Sequence, residues 1–220
     1  MIRFENISVE NFTSVSFDIL EGTVCKIITG SDFHKRTLLQ TLFGRNKPVQ
    51  GTVLLFGKDI YSISEQELLN LFIKVGMVWK DGGLISNLKV WENITLPAWY
   101  HMGKHPEEME DKVISMFSDL GKSGTELNTY MKKLPGPFPV HEKRLIGLVR
   151  AMLTEPDLMI YDSLFDGLSP AMAKQLAKYT TLFHSGKPLR TSLYISTDEL
   201  SLRDIRADLI LRQSGEGFTA

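Results

Sequence analysis

The stretch from Val24 to Gly44, VCKIITGSDFHKRTLLQTLFG, constrains this chain more than any other. Val24 to Ile28 is apolar and largely β-branched apart from Lys26, the pattern of a buried strand. Gly30 opens a turn, Thr37 to Phe43 carries apolar residues at helical spacing, and Gly44 suits a helix C-cap. Strand, tight loop, lysine and helix form the layout of a phosphate-binding loop, which normally reads G-x-x-x-x-G-K-[ST]. The layout is kept and most of its chemistry is not, because Lys35 is followed by Arg36 and the loop holds few glycines.

The rest of the chain supplies a compatible frame. Ile2 to Val9 and Val15 to Ile19 read as an antiparallel pair, and Val53 to Phe56 as a strand closed by Gly57-Lys58-Asp59. Ser64 and Glu67 make a capping box for a helix to about Phe72, and Val75 to Trp79 is another short apolar run. Pro106 to Leu120 reads as one amphipathic helix with Met109, Val113, Met116, Phe117 and Leu120 on a face. Residues 141–153 and 170–184 read as helices, and Leu158–Asp162, Ser192–Ser196 and Leu209–Leu211 as strands. Strands alternating with helices imply an α/β fold with a mainly parallel sheet. The expected organisation is one domain over 1–220, with a core from 1–79 and 154–220 and a helical subdomain over about 80–153.

Composition excludes several classes. A formal net charge of −1 gives no electrostatic case for nucleic acid. The one cysteine, Cys25, leaves no internal disulfide to form and suits a reducing compartment. No apolar run approaches the roughly 20 residues that span a bilayer, so a membrane role is expected to come through a partner.

Three segments carry a resemblance. They are Val75–Ile94 (VGMVWKDGGLISNLKVWENI), Arg150–Asp162 (RAMLTEPDLMIYD) and Gly167–Pro170 (GLSP). In order and spacing they resemble the ATP-binding subunit of ABC transporters over almost the whole chain. The first segment looks most like the lipid-trafficking ATPases that work with Mce-type proteins. The resemblance implies a P-loop NTPase (RecA-like) core with antiparallel N-terminal strands and an inserted helical subdomain. It implies a permease partner, a homodimer or a heterodimer with an active ABC ATPase, and a cytoplasmic place, peripheral on the inner membrane.

Read residue by residue, the catalytic chemistry implied by that resemblance is largely replaced. Lys35, Thr37 and Asp162 stand where the family binds nucleotide, as vestiges of that site. Thr29, Asp32 and His34 replace loop glycines, and a β-carbon there crowds a phosphate. At about 4 Å and an effective dielectric near 20, an inward-pointing Asp32 repels an anion by roughly 4 kcal/mol. A helix N-terminus returns only about 0.3–1 kcal/mol. Arg36 replaces the hydroxyl that holds Mg²⁺, and Lys80 the glutamine that senses the γ-phosphate; neither can ligate a cation. Ser163 replaces the glutamate that polarises water, Pro139 lies in the signature segment without an N–H, and Thr197 replaces the switch histidine. No catalytic residue and no metal ligand is assigned, no cofactor is required, and Mg·ATP is expected to bind weakly at most.

By contrast, Trp79, Leu84, Trp91, Leu96 and Trp99 retain the large side chains that anchor interfaces, in the region where the family receives its permease. The expected function is a non-hydrolysing subunit docked on a permease as scaffold or regulator. The alternative is a weak or unorthodox ATPase using Lys35 and Asp162; a third reading is a free-standing regulator binding another anion at Lys35 and Arg36.

Overall fold

The structure is a computed structural model that describes residues 1–219. Strands β1 (Ile2–Val9) and β2 (Phe12–Ile19) pair antiparallel, with Phe4 opposite Phe17 and their rings stacked at 4.6 Å. Next come β3 (Val24–Ile28), α1 (Asp32–Leu42), β4 (Gln50–Leu55), β5 (Lys58–Asp59), α2 (Glu65–Phe72) and β6 (Val75–Val78). The capping box forms on α2 as expected, with Ser64 accepting from the Glu67 N–H. Helices α3 (Val90–Met102), α4 (Glu110–Asp119), α5 (Gly124–Met131) and α6 (Val140–Leu153) follow without an intervening strand. The chain then runs through β7 (Leu158–Asp162), α7 (Pro170–Ser185), β8 (Thr191–Ser196), β9 (Leu209–Ser214) and β10 (Gly217–Thr219).

The strands make two sheets. One is four-stranded and antiparallel, in the order β2-β1-β4-β5. The other is six-stranded, in the order β10-β9-β3-β8-β7-β6, and parallel except for its β9–β10 edge. Period-2 alternation divides the interior. Leu158 and Ile160 of β7 join Leu38, Leu39 and Leu42 of α1 and the four-stranded sheet in one core; Met159 and Tyr161 point to the other, with α3 to α7. The parallel register brings the carboxyl ends of β3, β7 and β6 to one edge, the usual place for a site in an open α/β sheet.

Four local expectations change. Helix α1 starts at Asp32 rather than Thr37, because Ser31 acts as N-cap and accepts from the His34 N–H. The single helix expected over 106–120 is a 3₁₀ turn, Pro106–Met109, followed by α4, although Met109, Val113, Met116 and Phe117 are buried as expected. Helix α3, which carries Pro97 inside it, and helix α5 were not signalled by periodicity. Strand β10 extends the sheet beyond the last strand expected from the sequence.

Candidate functional site

The start of α1 is the first element of the site. Residues 29–31 alone connect β3 to α1, so positions 32–34 lie in the first helical turn instead of a phosphate loop. The Gly30 N–H at the mouth of this turn donates to the Gln213 side-chain oxygen at 2.8 Å. Ser31 Oγ accepts from the His34 N–H and lies 2.7 Å from His34 Nδ1. The His34 ring packs on Phe12, centroids 5.6 Å apart, and Phe12 is buried in the core.

Lys35 points to the carboxyl end of β7. Its ammonium lies 2.8 Å from Asp162 Oδ1 and 2.9 Å from Asp32 Oδ1, and donates to Ser163 Oγ at 2.5 Å. The Lys35 side chain is 4% exposed and that of Asp162 9%, so this is a buried ion pair. The Asp162 contact is poorly aligned as a hydrogen bond, and charge rather than direction holds it. Lys80 Nζ binds the other Asp32 oxygen at 2.6 Å, and the Lys80 backbone N–H donates to Asp162 Oδ2 at 3.3 Å. Two carboxylates and two ammonium groups therefore form one internally neutral network. Thr37, one turn along α1, is buried and donates to Glu10 Oε2 at 2.6 Å.

The electrostatics follow from this pairing. Burial pulls the Lys35 ammonium down, but Asp162 and Asp32 outweigh it and hold the group above its ordinary value. Lys80, then Lys35, lowers the Asp32 carboxyl from 3.8 to about 2. A depressed carboxylate stabilises the fold above its unfolded value, and that contribution is lost as pH falls through the folded one. Asp32 is half-exposed, so the contribution is expected to stay below about 1 kcal/mol. A carbon-detected NMR titration is expected to place its midpoint near 2, and Lys80→Met to move it upward. A midpoint unchanged by Lys80→Met would contradict the pair.

A cleft of about 630 Å³ opens beside the network, with Leu39, Phe43, Trp79 and Val140 as its apolar part and Arg36, Arg45 and Arg144 as further cations. Ser163 is fully buried with φ of +52°, and Arg36 is exposed. Pro139 is the N-cap of α6 and Thr197 is an exposed residue after β8, and neither lines the cleft.

The side chains expected to dock a permease do not make one surface. Trp79 lines the cleft, its ring 5.8 Å from Phe43. Leu84 and Trp91 pack half-buried against the helical core. Trp99 is 52% exposed on α3, outside the cleft. Sequence reasoning missed Glu10, Phe43, Arg144 and Gln213. Only Arg144 carried a signal: it is a lone arginine next to the apolar run Leu145-Ile146 of α6, and it is buried.

A family profile described as "ABC transporter" matches residues 12–165. The "Probable ribonucleotide transport ATP-binding protein mkl" of Mycobacterium leprae is 29% identical over 164 residues, covering 74% of this chain and 46% of that protein. The "Methionine import ATP-binding protein MetN" of Mannheimia succiniciproducens is 26% identical over 212 residues, covering 92% of this chain and 59% of that protein. The chain thus spans about half the length of these curated relatives. In fold it is similar to a dimeric ATP-binding cassette in a post-hydrolysis state bound to ADP and Pi, with a TM-score of 0.85 at 17% identity over 100% of this chain and 97% of that one. It is also similar to cbiO1 of Clostridium perfringens, with a TM-score of 0.77 at 19% identity over 100% of this chain and 86% of that one.

Proposed function

The chain belongs to the ABC transporter family, and from that premise we propose that it is a non-hydrolysing ATP-binding-type subunit that docks on a membrane permease as scaffold or regulator. One observation supports this above the others: each group left from the nucleotide site already has a partner inside the chain. Lys35 is held by Asp162, Asp32 and Ser163, Thr37 by Glu10, and the Gly30 N–H by Gln213.

This donor set does not fit Mg·nucleotide. A phosphate on Lys35 competes with Asp162 for a buried ammonium, and separating that pair costs about 3–5 kcal/mol unless a cation bound with the phosphate compensates Asp162. It then sits beside two carboxylates, and Arg36 and Lys80 offer no lone pair to a metal. The weak or unorthodox ATPase has less support. The raised Lys35 ammonium cannot serve as a general base near neutral pH, and Ser163 is fully buried.

In the same reading the partners are a permease, a second cassette as homodimer or as an active heterodimer partner, and an Mce-type protein of a lipid-transport system. Among the described residues no helix is long and apolar enough to cross a membrane, so membrane association runs through the permease. The cleft with Trp79 and Phe43 is the docking surface.

Calorimetry tests the central point. Mg·ATP titrated into the purified protein is expected to give no saturable heat up to about 1 mM, a binding free energy no better than about −4 kcal/mol. Saturable binding in the micromolar range, abolished by Lys35→Met, would sink the proposal and bring back the ATPase.

A further inference from the structure

Residues 80–83 carry no helix or strand, yet their polar backbone groups are tied down. The Lys80 N–H donates to Asp162, the Gly82 N–H to the Trp79 carbonyl at 2.8 Å, and the Gly83 N–H to Asp81 Oδ1 at 3.0 Å. Two arginines of α6 hold the carbonyls. Arg144 Nε donates to Lys80 O at 2.6 Å while its NH1 group donates to Asp166 O at 2.6 Å. Arg150 donates to the carbonyls of Gly83 at 2.7 Å and Gly82 at 3.2 Å.

Arg144 stands out chemically. It is 6% exposed, pairs with no carboxylate within ion-pair distance among the described residues, and spends its guanidinium on two carbonyls from different segments. Its hydrogen-bond partners are neutral carbonyls, while Asp166, Asp162 and Asp81 are near enough to offset part of the cost of burying its charge, and its planar fork is suited to fixing the geometry between two acceptors.

We propose that Arg144 is the positioning residue of the cleft rim. It bridges the segment after β6 to the turn after β7 and so holds Trp79 to Gly83 in one conformation with no ligand bound. The rim is a preformed surface, and a docking partner does not have to order it. This deepens the docking reading, since Trp79 and Lys80 face the cleft, but the clamp is measured without any partner.

Hydrogen exchange on the full chain tests it. In wild type the amides of Lys80, Gly82 and Gly83 are expected to be protected, with rates unchanged by Mg·ATP. Arg144→Met is expected to speed their exchange about ten- to a hundredfold, the equivalent of one charge-assisted hydrogen bond, while amides of β3 and β8 keep their rates. Arg144→Lys, which keeps the cationic stem and one donor direction, is expected to give an intermediate, equally local effect, and it serves alone if the methionine variant does not fold. Lys80→Met is expected to change the rates less than about threefold, because its pair with Asp32 is half-exposed.

Unprotected rim amides in wild type, or an Arg144→Lys effect spread evenly over the whole chain, overturn the proposal. Protected amides together with tight Mg·ATP binding overturn the proposed function and leave the clamp standing. An unprotected rim with no nucleotide binding does the reverse.

Discussion

Lys35→Met is expected to destabilise the fold by about 3–5 kcal/mol, because it strands the Asp162 carboxylate in the interior. For a chain of this size that is a fall in Tm on the order of 10 °C. Methionine keeps the length and the apolar stem, so the loss reports the charge and not a cavity. Lys35→Met combined with Asp162→Asn is expected to recover much of it, with a coupling energy of about 2–3 kcal/mol in the double-mutant cycle. The pH dependence has a definite sign. The raised Lys35 ammonium contributes its stabilisation in full below its unfolded value of 10.5, and that contribution disappears as pH rises through the folded one. Urea titrations at neutral pH measure the loss, and a single variant within about 1 kcal/mol of wild type would show the ion pair to be idle.

The second large effect is expected at Gly82. Its φ is +88°, and a β-carbon there would stand 2.5 Å from the Lys143 carbonyl oxygen, backbone against backbone. Neither side can yield by changing a rotamer. Left-handed strain of about 1–2 kcal/mol and overpacking of about 1–3 kcal/mol add to a loss of about 2–5 kcal/mol for Gly82→Ala. Gly57→Ala is the control. Its φ is +78° but nothing lies within 4 Å of the added carbon, so only the strain of about 1–2 kcal/mol is expected. Equal losses at the two positions in thermal unfolding would mean that α6 does not press on the rim as described.

Much of the fold was legible because burial writes a plain pattern. The run Leu158–Asp162 is a strand in the structure to the residue, and Ser64 with Glu67 marked the start of α2 correctly. Helix α3 was hidden because Pro97 and its β-branched neighbours read against a helix, whereas Asn93 and its tertiary packing hold it. The start of α1 at Asp32 was hidden because residues 32–36 carry no apolar periodicity beyond Phe33, whereas Ser31 as N-cap sets it. At the site, Lys35 and Asp162 were readable one by one. The pair Asp32–Lys80 was not, because it joins residues 48 positions apart. How the large side chains of this region divide among environments was illegible for a related reason. Large side chains in one stretch of sequence signal burial, but the turn at Gly82-Gly83 and helix α3 send Trp79, Trp91 and Trp99 to three different environments.

The reciprocity of the charge network bears on which changes this chain tolerates. Placing glycine at Asp32 alone removes a carboxylate from both Lys35 and Lys80, and placing glutamine at Lys80 alone leaves Asp32 with one cation fewer. Placing glutamate at Ser163 alone sets another carboxylate into the buried neighbourhood of Asp162. Each of these single changes therefore unbalances the charge of the groups that remain. The network works as an interlock: Asp32 depends on both lysines and Lys35 on both carboxylates, so its members can be exchanged together more cheaply than one at a time.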